Sequence, residues 1–186
     1  MKAFVFALTL IASCSALAAS QLPSDSLWQL PDTFIDQDGR AFTLDSRRGH
    51  PQLVAMFYSS CTNVCPLMIN TALAVDKALT PQERAKLRVL MISFDTLNDT
   101  PEALRSLANE RNLDHTRWTL SRGDEEGVRA MAALLGVRYR RLEDGGFNHT
   151  SAVFLLDSDG RLLAKTERIG GPPDPEFLAK VRAVLK

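Results

Sequence analysis

The sequence predicts an α/β fold, one central sheet with helices on both faces. Three observations carry that prediction. Two uninterrupted apolar runs, within Gln52 to Tyr58 and within Leu87 to Phe94, suit strands buried on both faces. Each run is followed by helix-start chemistry, Pro66 after the first and Thr100-Pro101 after the second. Acidic glycine turns, Asp36-Gln37-Asp38-Gly39 and Asp157-Ser158-Asp159-Gly160, mark two hairpins.

Taken in order, residues 20–31 are polar, punctuated by Pro23 and Pro31, and read as a leader. Thr33 to Ile35 and Arg40 to Leu44 make the first hairpin. Gln52 to Tyr58 is the first buried strand, and Cys61 to Cys65 follows as a loop. Pro66 takes the first position of a helix in which Met68, Ala72, Val75 and Leu79 share one face. Leu87 to Phe94 is the second buried strand, and the helix after Thr100 turns Leu104, Leu107 and Ala108 inward. Trp118 to Leu120 is a short strand. Asp124 opens a helix carrying Val128, Met131 and Leu135, and Gly136 ends it. Val137 to Leu142 is a short strand, and Gly145 to Thr150 a loop. Ala152 to Leu156 and Arg161 to Lys165 make the second hairpin. Asp174-Pro175 starts the last helix, with Phe177, Val181 and Val184 facing in. No repeat or linker divides the chain, so residues 31–186 form one domain.

Composition narrows the function. With 45% apolar and 24% charged residues the chain is neither disordered nor a multi-span membrane protein. Lys+Arg and Asp+Glu balance at 22 each, so the cationic excess that nucleic-acid affinity rests on is missing. Residues 1–18 read as a signal peptide: Lys2 is the positive region, Ala3 to Ala12 the apolar core, and Ala16-Leu17-Ala18 the cleavage site. The leader then spans 19–30, and the expected location is periplasmic. Ile11-Ala12-Ser13-Cys14 offers an alternative, a lipobox that would anchor the chain to a membrane through Cys14. No later stretch is long and apolar enough for a transmembrane helix.

Setting Cys14 aside leaves Cys61 and Cys65, a pair in an oxidising compartment. Their loop is too short for a disulfide to gain much chain entropy, which moves weight towards redox or metal chemistry. The pair stands at the carboxyl end of a buried strand and before a helix N-terminus, where open α/β sheets place their sites. Two thiolates also form a soft-metal bite suited to Cu(I). A third ligand would come from His50, His115 or His149. His50 lies at the amino end of its strand and His115 in a polar loop, and both read as solvated surface residues. His149 precedes the buried strand from Ala152. Read alone, it divides evenly between a ligand and a loop histidine making one hydrogen bond.

Phe57-Tyr58-Ser59-Ser60-Cys61-Thr62-Asn63-Val64-Cys65-Pro66 resembles the cysteine motif of the SCO/SenC family, the proteins for synthesis of cytochrome c oxidase. Ile92-Ser93-Phe94-Asp95 with Asp99-Thr100-Pro101-Glu102, and Asn148-His149-Thr150-Ser151 with Phe154 to Gly160, are similar to that family's second and third motifs. All three occur in order over residues 31–186. The resemblance implies a thioredoxin-like fold with an inserted β-hairpin, in which the His149 loop faces the cysteine loop. It implies copper held by Cys61, Cys65 and His149. It also implies a partner, a copper-acceptor protein such as a cytochrome oxidase subunit, whose binuclear copper site receives the metal or has its thiols reduced. Two features depart from the pattern: Thr62 stands where many members have proline, and no membrane-anchor helix is present unless Cys14 is lipidated.

The first functional reading is therefore a copper metallochaperone. Two thiolates and one imidazole satisfy Cu(I), whereas zinc would want a fourth ligand. The alternative is a thiol:disulfide oxidoreductase, with Cys61 as the attacking sulfur. Against it stand the three-residue spacing and the lack of proline between Pro101 and Pro172, where thioredoxins shape a peptide groove. A peroxidase would need an activating cluster around one cysteine that the sequence does not offer, and a plain binding module with an ordinary disulfide is disfavoured by the short loop. Met56, Met68 and Met91 read as core. Asp95 reads either as a group tuning the thiols or orienting His149, or as a solvated strand end. Asp99 reads as a helix-start residue, and Tyr58 and Phe147 as aromatic packing that could also wall the site.

Overall fold

The computed structural model describes residues 21–61 and 64–186, so the expected signal peptide and lipobox, Cys14 and Thr62 lie outside the described residues. The architecture is the expected α/β layering, built as follows. The strands are β1 (Thr33–Asp36), β2 (Ala41–Thr43), β3 (Gln52–Phe57), β4 (Arg88–Ser93), β5 (Trp118–Arg122), β6 (Tyr139–Arg141), β7 (Phe147–His149), β8 (Val153–Leu156) and β9 (Leu162–Thr166). The helices are α1 (Val64–Ala78), α2 (Pro81–Lys86), α3 (Pro101–Glu110), α4 (Glu125–Leu135) and α5 (Pro175–Val184).

Seven strands form one mixed sheet in the order β2-β1-β5-β4-β3-β8-β9. β3, β4 and β5 run parallel at its centre, and antiparallel hairpins close both edges. The centre reads directly from sequence: every residue of β3 is buried, as is β4 from Val89 onward, because helices cover both faces of a parallel sheet. Met56, Met68 and Met91 are in this core, as their apolar runs predict. The glycine turns form as expected, the Asp36 carboxylate accepting from the Asp38 and Arg40 amides and Asp157 doing the same for Asp159 and Arg161. The helix starts at Thr100, Asp124 and Asp174 are all side-chain caps, and Gly136 ends α4 in the left-handed conformation.

Four features differ from the expectation. Pro66 is the third residue of α1 rather than the first, still within the turn whose N–H groups have no helical acceptor. Helix α2 has no buried residue, so no apolar period announces it; a Thr80–Glu83 capping box with Pro81 sustains it. The second half of the leader packs into the domain, with Leu27 and Trp28 buried. Finally, Phe147–His149 is a strand, not a loop: β7 pairs with β6 as a separate two-stranded sheet that sets Tyr139 opposite His149.

Candidate metal centre

The cysteines sit where β3 ends and α1 begins. Neighbouring β4 fixes this end of β3, the Phe94 amide donating to the Phe57 carbonyl at 2.9 Å. Below the cysteines, one buried carboxylate organises the turn. Asp99, 1% exposed, accepts from the Ser59 amide at 2.9 Å, from the Ser59 hydroxyl, and from the Ser93 hydroxyl. Asp99 therefore does not serve the helix start, where Thr100 is the cap; it ties the cysteine turn to β4. Sequence reasoning missed this because its partner Ser59 is 40 residues away.

Cys61 and Cys65 are both buried thiols. The Cys65 amide, in the first turn of α1, directs its N–H to the Cys61 sulfur at 3.4 Å. The Cys65 thiol pKa is pushed well above its ordinary value, chiefly by burial, with neighbouring Cys61 adding to the effect.

His149 arrives from β7 and closes the site from the other side. Its Nε2 lies 3.7 Å from the Cys65 sulfur. Its Nδ1 lies 3.1 Å from the Thr150 carbonyl, which accepts the ring proton and leaves Nε2 as the lone-pair nitrogen facing the sulfur. Burial lowers the imidazole pKa below its ordinary value, keeping the ring neutral near pH 7. Aromatic rings hold it in place: Phe94 with centroids 4.9 Å apart and Tyr58 edge-on at 6.1 Å. The Tyr58 hydroxyl also accepts from the Phe147 amide at 3.4 Å, and Tyr139 stacks on Phe94 at 5.2 Å. Tyr58 and Phe147 thus do wall the site. Phe94 was not singled out from sequence, since it reads as the last apolar residue of a buried strand.

The other candidates lie elsewhere. His50 is exposed at the opposite end of β3, and His115 is exposed with Nδ1 4.0 Å from an Asp38 oxygen. Asp95 is buried rather than solvated. It accepts from the Asn98 side chain at 2.8 Å and faces Arg141 of β6 at 4.0 Å, an attachment of the hairpin to the sheet. Among the described residues, no three His, Cys, Asp or Glu side chains stand together at metal-binding spacing; the Cys61 sulfur meets the Cys65 amide, and the Cys65 sulfur meets His149.

Comparison with known proteins gives the family and the fold. The family model described as SCO1/SenC matches residues 24–186. A SCO2-like protein of Rickettsia prowazekii is 27% identical over 139 residues, covering 72% of this chain and 66% of that protein, so the chain spans a little under two thirds of its length. The SCO1 protein homolog of Bacillus subtilis is 26% identical over 159 residues, covering 82% of this chain and 80% of the relative. The structure of Bradyrhizobium japonicum ScoI with copper bound superposes with a TM-score of 0.69 at 24% identity, covering 83% of this chain and 97% of that one. That likeness shows the thioredoxin-like fold.

Proposed function

The chain belongs to the SCO1/SenC family, and from that premise we propose that it is an exported copper carrier. It takes Cu(I) on Cys61, Cys65 and His149 and passes it to a copper-acceptor protein, the binuclear copper site of a respiratory oxidase. The observation that carries this reading is the contact between Cys65 and His149. With metal–sulfur and metal–nitrogen distances of about 2.3 and 2.0 Å, a trigonal site has an S···N edge of about 3.7 Å. The separation found between Cys65 Sγ and His149 Nε2 is 3.7 Å. The imidazole is also in the required state, neutral and presenting Nε2. Copper bound to the Bradyrhizobium relative supports the same chemistry.

Cys61, four residues before Cys65 and with its sulfur 3.4 Å from the Cys65 amide, would supply the third ligand. A three-ligand site of this kind suits a carrier, because incoming acceptor thiols can replace its ligands one at a time. Copper loading needs both cysteines reduced and deprotonated, so binding releases protons and is blocked by oxidation.

A second reading, thiol:disulfide exchange with the acceptor, draws on the helix-end amide directed at Cys61. Cys61 would attack an acceptor disulfide and form a mixed disulfide. Cys65 would then displace the acceptor, leaving Cys61–Cys65 oxidised and two acceptor thiols reduced.

The deciding experiment is a Cu(I) titration of the reduced mature protein against a competing chelator, wild type beside Cys61→Ala. One tight equivalent, lost in the variant, is expected. Failure of the wild type to compete rejects the carrier and leaves the exchange reading, testable through the Cys61/Cys65 reduction potential.

A further inference from the structure

We propose that the groove beside the β6–β7 hairpin docks an acidic segment of the protein that receives the metal, with Arg138 and Arg140 as its recognition charges. This rests on the carrier reading above and names the chemistry of its partner.

The groove has a volume of about 630 Å³ and runs between the hairpin, α4 and the turn after β4. Its floor is apolar, formed in part by Phe94, Ala132, Val137 and Phe147, and Leu97 stands 72% exposed at its margin. Its charges are one-sided: Arg129, Arg138, Arg140 and Arg141 against a single carboxylate, Glu125. Glu125 is already engaged by Arg129, one turn away on α4. Arg141 lies over the Phe147 ring and 4.0 Å from buried Asp95. Arg138 and Arg140 are exposed and form no ion pair among the described residues. Glu143 and Asp144 belong to the hairpin turn, outside the groove lining, and the Asp144 carboxylate is bonded to the Gly146 amide.

In a chain whose formal charge sums to zero, this is a local cationic excess over an apolar floor. An anionic segment with an apolar side chain matches it on both counts, with the charges giving orientation and on-rate. A concave lining suits a polypeptide segment better than a flat lipid surface. Position supplies the link to the metal. The same two arginines also border a recess lined by Asn148, His149 and Thr150. The groove floor includes Phe94, whose ring packs on His149. An acidic segment neutralised there is held beside the imidazole, so docking and the copper site share the β6–β7 hairpin.

The probe is a synthetic glutamate-rich peptide with one phenylalanine, titrated into the isotopically labelled mature protein and followed by backbone amide NMR. A peptide with glutamine in place of glutamate, and phosphatidylglycerol vesicles, run in parallel. The expected result is saturable shifts at Leu97, Arg138 to Arg141 and Phe147 that weaken with added salt. They should be lost with the glutamine peptide and weaken about tenfold or more in Arg138→Glu/Arg140→Glu. Shifts that survive in that variant, that map elsewhere, or that do not appear while vesicles bind overturn the proposal. Copper(I) titration of the same variant keeps the two readings separate. Retained affinity is expected, whereas failure of the wild type to bind copper(I) overturns the carrier reading independently of the peptide result.

Discussion

His149 meets the Cys65 sulfur at 3.7 Å across 84 residues of sequence, joining a peripheral hairpin to the first turn of α1. The contact is directional, because the Thr150 carbonyl takes the Nδ1 proton and fixes which nitrogen faces the sulfur. Removing that nitrogen should leave two thiols that bind copper without its third partner. His149→Ala is expected to weaken Cu(I) binding by about a hundredfold or more while leaving the Cys61/Cys65 reduction potential nearly unchanged. Chelator competition and redox titration read the two separately. Undiminished copper affinity in the variant would reduce the site to a dithiol.

Acid should act on the same ring in a set direction. The folded-state pKa of His149 lies below the unfolded value of about 6.5, so the unfolded chain takes up the proton first. The ring's contribution to stability is therefore constant above about pH 6.5 and declines as pH falls from there through the folded pKa. NMR titration of the imidazole should give a midpoint below 6.5 in the apo protein. The matching fall in urea midpoint should be absent from His149→Gln. A midpoint at or above the ordinary value contradicts the burial argument.

Asp99 should prove a positioning residue for the cysteine turn. Its carboxylate serves the amide and hydroxyl of Ser59 and the hydroxyl of Ser93 in a site closed to water. Asp99→Asn keeps the shape but exchanges one charged acceptor oxygen for a donor. A loss of about 1–3 kcal/mol in urea unfolding is expected, with faster amide exchange at Ser59. A loss below about 0.5 kcal/mol, in the range of an ordinary surface substitution, means the turn does not depend on it.

Much of this was legible in the sequence. Buried runs gave β3 and β4 because a fully covered strand leaves no polar alternation to misread, and the Asp-Gly turns gave the hairpins. Cys61 and Cys65 were legible from their short spacing at the end of a buried strand, and His149 joined them as a candidate ligand through motif resemblance; the structure brings Cys65 and His149 into contact. What was not legible depends on contacts distant in sequence. Asp99 follows a strand and precedes Thr100-Pro101, so a local reading makes it part of a helix start. Phe147–His149 is three residues between glycines and Thr150, too short for a period, and becomes a strand because β6 offers it a partner. Trp28 stands in a polar stretch and is buried by a turn far along the chain.

That burial predicts a specific intolerance. Gly160 has φ +82°, and a Cβ added there would come within 2.4 Å of the Trp28 ring. Gly160→Ala should combine left-handed strain with displacement of the indole, costing about 2–4 kcal/mol. Thermal unfolding followed by tryptophan fluorescence would read both; an unchanged melting temperature means the ring moves aside freely.

The seating of Trp28 also gives the molecule a direction. The β8–β9 turn it packs against lies beyond Leu156, which pairs with Gln52 at the start of β3, whereas the cysteines follow its end. The polypeptide thus enters the domain at one pole and presents its sulfurs at the other. Anything that reaches the cysteines therefore approaches from that second pole, clear of the place where Trp28 is seated.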